Sequence, residues 1–225
     1  RALIRDRDGL KPVGRRILWT MYTMGLSSKK SHRKVSSIVG EVMGNFHPHG
    51  DVPISQALVR LGQEWTMMVP LVHPQGNFGS PDGDSCAAAR YIEARLSEAG
   101  ELLLEDTDKI SNFAPNYDDR LTEPTFLAGS FPNVLINGDQ GVAVGLSSKT
   151  PSHNPTEVAE LVKFLTKNPN AKISSIFEII QGPDFPTGGS IVDEGGIEEY
   201  FLTGKGTFSI RAVGSIKQVN SRHHI

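Results

Sequence analysis

The stretch Val35-Ser36-Ser37-Ile38-Val39-Gly40-Glu41-Val42-Met43-Gly44-Asn45-Phe46-His47-Pro48-His49-Gly50-Asp51-Val52-Pro53-Ile54 decides how the first part of this chain folds. Val35, Ile38, Val39, Val42 and Met43 recur at three-and-four spacing, which lays one apolar stripe along a helix that Gly44 ends. Ser31 is the expected cap of that helix. His47-Pro48-His49-Gly50 then makes a turn, and Asp51 is the expected cap of a further helix whose buried face is Ile54, Leu58, Val59 and Leu61. Upstream, Pro12, Val13, Ile17, Leu18, Met21 and Met24 before Gly25 predict an amphipathic helix with proline in its first turn and glycine at its stop. Arg15 and Arg16 fall off that apolar stripe. Short helices joined by a Gly/Pro turn on a basic chain end outline a helix-turn-helix, whose second helix can enter a major groove.

Farther along, Met67 to Val72 is expected as a buried strand, and residues 73–85 form a shaped loop too rich in Gly, Pro and Asp for regular structure. From Ala87 a helical pattern runs through Ile92, Leu96, Ala99, Leu102 and Leu103. Strands are expected around Val134-Leu135-Ile136 and Val142-Ala143-Val144. Asn154-Pro155-Thr156-Glu157 starts a helix through Val158, Leu161, Val162 and Leu165, with Glu157 reaching back to the cap. Alternation from Thr207 to Val213 points to a small strand-containing region. A boundary near Pro124 separates an acidic helix and its tail from strand-rich sequence.

The 225 residues are 38% apolar and 21% charged, which excludes disordered, collagenous and coiled-coil classes. One cysteine, Cys86, leaves no internal disulfide and too few thiolates for a zinc site, favouring a reducing compartment. No apolar run approaches the roughly 20 residues of a membrane span, so a cytoplasmic location is expected. The chain starts at Arg1 without Met and stops at Ile225 inside structured-looking sequence, and is read as a piece of something longer. A net charge of −2 conceals a polarity: residues 1–40 hold ten Lys/Arg against two acids. Clustered cations attract phosphates whatever the base sequence, although a solvated basic surface gives the same count.

Several groups could carry chemistry. His47 and His49 beside Asp51 could offer two imidazoles to a metal, or contact a phosphate, or only shape the turn. Asp82 and Asp84 could hold magnesium or be turn chemistry. Arg90-Tyr91, expected at a helix start, puts a phenolic oxygen beside a guanidinium, which suits attack on a phosphodiester. The plainer alternative is an aromatic packed on the core with a solvated arginine.

Arg1-Ala2-Leu3, Arg7-Asp8-Gly9-Leu10-Lys11-Pro12-Val13 with Arg15-Arg16, Phe46-His47-Pro48-His49-Gly50-Asp51, Gln75-Gly76-Asn77-Phe78-Gly79-Ser80 and Ala88-Ala89-Arg90-Tyr91 with Glu93 resemble, in order, the breakage-reunion domain of bacterial type IIA topoisomerase A subunits, those of DNA gyrase and topoisomerase IV. Pro132-Asn133, Asn137-Gly138, Gly141 to Gly145, Pro151 to Asn154 and Gly182 to Thr187 continue the resemblance over nearly the whole chain. It implies an α+β fold: a winged-helix domain over residues 1–124, then the beginning of an α/β tower domain over residues 125–225.

It also implies a mechanism. Tyr91 falls where the family keeps the nucleophile that attacks a DNA phosphate, leaving a 5′-phosphotyrosine and a free 3′-hydroxyl. Phenols ordinarily ionise near pH 10, so that step needs activation. Mg²⁺ held by the partner B subunit supports the chemistry, which argues against Asp82 and Asp84 as the catalytic metal site. Arg90 matches the arginine that offsets charge on the reacting phosphate. Arg1, His47 and His49 match positions lining the cleavage site, and Lys11, Arg15 and Arg16 match cations that grip the DNA backbone. Val142 stands for an isoleucine that wedges between base pairs. Val52 and Gln56 replace the Ser or Thr and the acid that resemble the anchor for a water–metal bridge to quinolone drugs. ATP is bound by the B subunit, since Gly204-Lys205-Gly206 lacks the spacing of a phosphate-binding loop. The implied assembly is a homodimer within an A2B2 heterotetramer on double-stranded DNA, associated with the nucleoid. Two rivals are a non-catalytic helix-turn-helix regulator and a metal-dependent phosphoesterase using His47, His49, Asp82 and Asp84.

Overall fold

In the computed structural model, which describes residues 3–215, 218–220 and 223–224, helix α1 spans Pro12–Thr23 and buries Ile17, Leu18 and Met21 completely. Gly25, at φ +68°, closes it: the Gly25 N–H donates to Tyr22 O and the Leu26 N–H to Met21 O. That double closure needs a left-handed residue at this point, which is why a glycine stands there. Strand β1 (Arg33–Lys34), helix α2 (Val35–Asn45) and helix α3 (Asp51–Leu61) follow. Ser31 does not cap α2. The helix begins four residues later because Arg33 and Lys34 are drawn into a sheet, and its first donors go elsewhere, from Val35 N–H to Ile92 O and from Ser36 N–H to Ala89 O. Gly50 takes the cap position of α3 and Asp51 its first turn, where a carboxylate suits the positive end of the helix dipole.

Strand β2 is Val72–Gln75, not Met67 to Val72. Pro70 cannot donate to a ladder, so Met67 and Leu71 are buried in irregular backbone. The helix expected from Ala87 is likewise corrected: residues 89–91 form a turn in otherwise irregular backbone, Glu93–Leu96 is strand β3, and only Glu98–Leu104 is helical, as α4, capped by Ser97 Oγ accepting from Gly100 N–H. Ile92 and Leu96 also suit a period of two when Ala94 is counted with them, and all three are buried at 1% exposure or less. Edge pairing on both sides settles the competition, since β3 pairs antiparallel with β1 and with β2 in the order β1-β3-β2. The sequence of elements α1-β1-α2-α3-β2-β3 around one core is compatible with a winged helix, and the molecule is α+β.

Helix α5 (Thr107–Ile110) and the hairpin of β4 (Phe113–Pro115) with β5 (Thr122–Pro124) come next. The hairpin is tied to the end of α2 by Asn116 Nδ2 donating to Asn45 O and Tyr117 Oη donating to Gly44 O. Val134-Leu135-Ile136 is a short helix, α6 (Asn133–Ile136), rather than a strand: Pro132 O accepts from Leu135 and Ile136 N–H. Strands β6 (Asp139–Ala143) and β7 (Leu146–Thr150) make a hairpin, and α7 (Pro155–Lys167) is capped by Asn154. The cap is made by Asn154 Oδ1 accepting from the Thr156 and Glu157 N–H groups, without the Glu157 carboxylate. Ile136, Val158, Leu161 and Ile180 form a second core. Helices α8 (Ser174–Phe177) and α9 (Gly196–Thr203) accompany the hairpin of β8 (Ser190–Val192) with β9 (Ser209–Arg211), and β10 (Gln218–Asn220) pairs with β11 (His223–His224).

A buried ion pair ties the start of the chain to the segment that follows β5. Asp8 and Arg15 side chains are 0% and 7% exposed, with Arg15 Nε on Asp8 Oδ2 at 2.6 Å and Nη2 on Oδ1 at 2.9 Å. Asp8 also accepts from the Leu10 and Leu127 N–H groups, and Asn133 Nδ2 donates to Asp8 O. Leu127 thus packs into the first core although it lies beyond Pro124.

Removing one partner of such a pair strands the other charge in the interior. Asp8→Ala is expected to lose about 3–5 kcal/mol of stability in urea unfolding; an unchanged midpoint would refute the pair's structural role. His153 supplies a second expectation. It is fully buried, its Nδ1 sits on Leu135 O at 2.9 Å, and burial lowers its pKa below 6.5. The unfolded chain takes up this proton near pH 6.5 and the folded chain only lower, so stability is complete above that pH and falls as pH drops toward the lowered value. Between about pH 7.5 and 5.5 the wild type should therefore lose more stability than His153→Gln, measured by thermal unfolding; equal losses would exclude the effect.

Candidate active site

Two sets of side chains gather around α2 and α3. The first is the Arg90-Tyr91 turn. It lies before β3, not at a helix start, and is held by the Tyr91 N–H donating to Ala88 O at 2.8 Å. On either side of Arg90 and Tyr91, the carbonyls of Ala89 and Ile92 take the first N–H groups of α2 at 3.1 and 3.0 Å. The turn therefore caps the helix and the helix pins the turn. Ile92 is buried while Tyr91 is 63% exposed, so the backbone is anchored and the phenol stands in solvent. Arg90 places its guanidinium carbon 4.6 Å from the centre of the Tyr91 ring, a cation–π contact that keeps a positive charge beside the phenol.

The loop before this turn is shaped by its own polar groups. Asn77 Oδ1 accepts from Gly79 N–H, Gln63 Nε2 donates to Phe78 O, and Ser80 Oγ donates to Asp84 Oδ2. A Cβ on Gly79, at φ +91°, would lie 2.7 Å from Asp84 O, so the loop closes only around glycine. Asp84 is thus engaged in turn chemistry. Among the described residues no three His, Cys, Asp or Glu side chains come together as a metal site, so the two-imidazole reading of His47 and His49 finds no third ligand.

The second set surrounds the turn between α2 and α3. His47 and His49 pack edge to face with ring centres 4.5 Å apart. Arg16 reaches His47 Nδ1 through Nη1 at 2.9 Å, while its Nε and Nη2 hold both oxygens of Glu123 at 2.6 Å each. Glu123 comes from β5, and nothing in its local sequence marks it as a partner of residues more than a hundred positions earlier. The expectation that Arg15 grips DNA is corrected: it lies on the buried face of α1 and spends its guanidinium on Asp8 and Leu10 O. Lys11 pairs with Asp139 at 3.5 Å and stays about one-third exposed. Arg5, Arg7, Lys30, Arg33 and Lys34 stand in solvent, so the basic end of the sequence is a basic surface. Arg1 lies outside the described residues.

Val52 and Gln56 are both exposed, one turn apart on α3, and line a groove of about 410 Å³ with Ala87, Ala88 and Ala89, the residues leading into Arg90. Val142 is 66% exposed on β6, near a hairpin tip where Val144 and Leu146 also stand in solvent. Among the described residues no helix is long and apolar enough to cross a membrane.

A family model for the DNA gyrase/topoisomerase IV A subunits matches residues 1–225. The chain is 47% identical over 226 residues to the DNA gyrase A subunit of Helicobacter pylori strain J99, covering all of this chain and 27% of that protein. It is 50% identical over 220 residues to the DNA gyrase A subunit of Granulibacter bethesdensis, covering 97% of this chain and 23% of that protein. The DNA gyrase A subunit of Haloquadratum walsbyi is 50% identical over 213 residues, 94% of this chain and 25% of its own length. The chain thus spans about a quarter of the length of these relatives.

Proposed function

This chain belongs to the family of DNA gyrase/topoisomerase IV A subunits, and from that premise we propose that it is the DNA-cleaving and religating part of a type IIA topoisomerase, with Tyr91 as nucleophile. The observation that carries the reading is the exposed phenol on an anchored turn, with a guanidinium on its ring. In the proposed step the Tyr91 oxygen forms a bond to a DNA phosphorus as the bond to the 3′-oxygen breaks. The phenol gives up its proton as the new bond forms, the 5′-end is left as a phosphotyrosine, and the departing 3′-oxygen takes up a proton. One phosphodiester is exchanged for another, so return of the 3′-hydroxyl reseals the strand without an external energy source. Arg90 offsets the charge that grows on the phosphate, and its contact with the ring keeps it there between events.

His47 and His49 offer ring N–H groups to the phosphate region, with Arg1 joining them on the strength of the resemblance. Lys11 and the outer edge of Arg16 add positive charge for the backbone. Val142 stands on a hairpin whose exposed apolar tip suits insertion between base pairs. In this reading residues 1–124 are the winged-helix domain and residues 125–225 the first part of the tower domain. Mg²⁺ held by a partner B subunit would supply Lewis-acid help at the phosphate, and ATP would be hydrolysed on that same B subunit. The assembly is an A2B2 heterotetramer acting on double-stranded DNA in the cytoplasm, associated with the nucleoid. The regulator reading leaves the Arg90-Tyr91 turn without a role. The phosphoesterase reading lacks a ligand set among the described residues.

With Mg²⁺ and the B subunit present, radiolabelled duplex should stay bound to the wild-type chain after detergent denaturation and be released from Tyr91→Phe; an adduct that survives the substitution would falsify the assignment. Val52 cannot accept a hydrogen bond and Gln56 carries no charge, so quinolones should stabilise cleaved DNA weakly. Val52→Ser with Gln56→Asp should raise drug-induced cleavage by about tenfold or more, an increment of about 1.4 kcal/mol in the bound drug; strong induction in the wild type would contradict this.

A further inference from the structure

The contacts of Arg16 assign a role to a residue that none of the sequence motifs contains. We propose that Glu123 is a positioning residue for strand cleavage: it clamps Arg16 so that Arg16 donates to His47 Nδ1 and fixes the tautomer of that imidazole. This rests on the reading that His47 serves the cleavage site.

A guanidinium carries donors only, so His47 Nδ1 facing Arg16 Nη1 at 2.9 Å must be the acceptor. A neutral imidazole whose Nδ1 accepts has its proton on Nε2. A proton on Nδ1 would set two donors against each other, so Arg16 opposes the other tautomer. Arg16 can do this only if its plane is fixed, and Glu123 fixes it: both carboxylate oxygens bind Nε and Nη2 at 2.6 Å, leaving Nη1 as the edge directed at His47. The pair is largely shielded, with side chains 22% and 15% exposed. The carboxylate also compensates the charge that Arg16 brings next to the imidazole. The ring is further held by its His49 neighbour, and the backbone beneath it by the His47 main-chain N–H donating to Val42 O at 2.8 Å. The Glu123-Arg16-His47 relay therefore holds the His47 ring in its Nε2–H form and in a fixed orientation.

The test uses Glu123→Gln, which is isosteric, and Arg16→Lys, which keeps the charge but loses the fork, each in the intact assembly of A and B subunits. Single-turnover cleavage of a labelled duplex should slow by about tenfold or more in both, as for loss of other supporting partners, with DNA affinity changed by less than about twofold in Glu123→Gln. Side-chain ¹⁵N spectra of the chain should show His47 passing from the Nε2–H form to a mixture in both variants. A wild-type rate, an unchanged tautomer, or a fall in DNA affinity matching the fall in rate overturns the proposal; should one variant fail to fold, the other decides. Tyr91→Phe runs in parallel: absence of a tyrosine-linked adduct in the wild type defeats the cleavage reading, while the ¹⁵N spectra still judge the clamp.

Discussion

Asp8 is the point on which the rest of the architecture hangs. A fully buried carboxylate is tolerated only when its charge and lone pairs are answered, and here they are answered from three places in the chain: Arg15 on α1, the Leu127 N–H beyond β5, and the Leu10 N–H next to Asp8 itself. Its carbonyl adds Asn133 at the start of α6. One residue thereby sets where α1 lies relative to the segment that leads into the β6–β7 hairpin. Taking both charges out of water carries a desolvation cost, and other placements of these segments would leave one of them unanswered.

The same logic of exchanged polar groups builds the site. Helix α2 begins without a side-chain cap, and the turn carrying Tyr91 has carbonyls to satisfy. Each solves the other's deficit. Glu123 and Arg16 repeat the pattern at the second set, where a strand from a later hairpin answers a cation on the first helix. Chemistry-bearing side chains are thus fixed by contacts far away in the chain.

That pattern explains which features are legible in sequence. Helices α1, α2, α3 and α7 are legible because their apolar stripes repeat at helical spacing and glycine, proline or asparagine punctuates them. Tyr91, Arg90, His47 and His49 stand out through the resemblance, since the motifs are local. The segment from Ala87 misleads because Ile92, Leu96 and Ala99 satisfy a helical period while Ile92, Ala94 and Leu96 satisfy a strand period, and only pairing with β1 and β2 chooses between them. Arg15 misleads for a related reason. A cation on an amphipathic helix reads as solvated until its buried counter-ion is known, and Asp8 is seven positions away, outside the helix. Glu123 is invisible because no local pattern announces a partner across more than a hundred residues.

The mutual capping of α2 and the Tyr91 turn has a mechanical meaning. A pull on the phenolic oxygen cannot be absorbed by a slack loop, because the carbonyls flanking Arg90 and Tyr91 are bonded to the first two amides of an eleven-residue helix. Load applied there is carried into α2 and the core beneath it, so a polymer end attached at this point travels with the body of the domain as one rigid piece. In the proposed reaction its severed counterpart would find it where it was left.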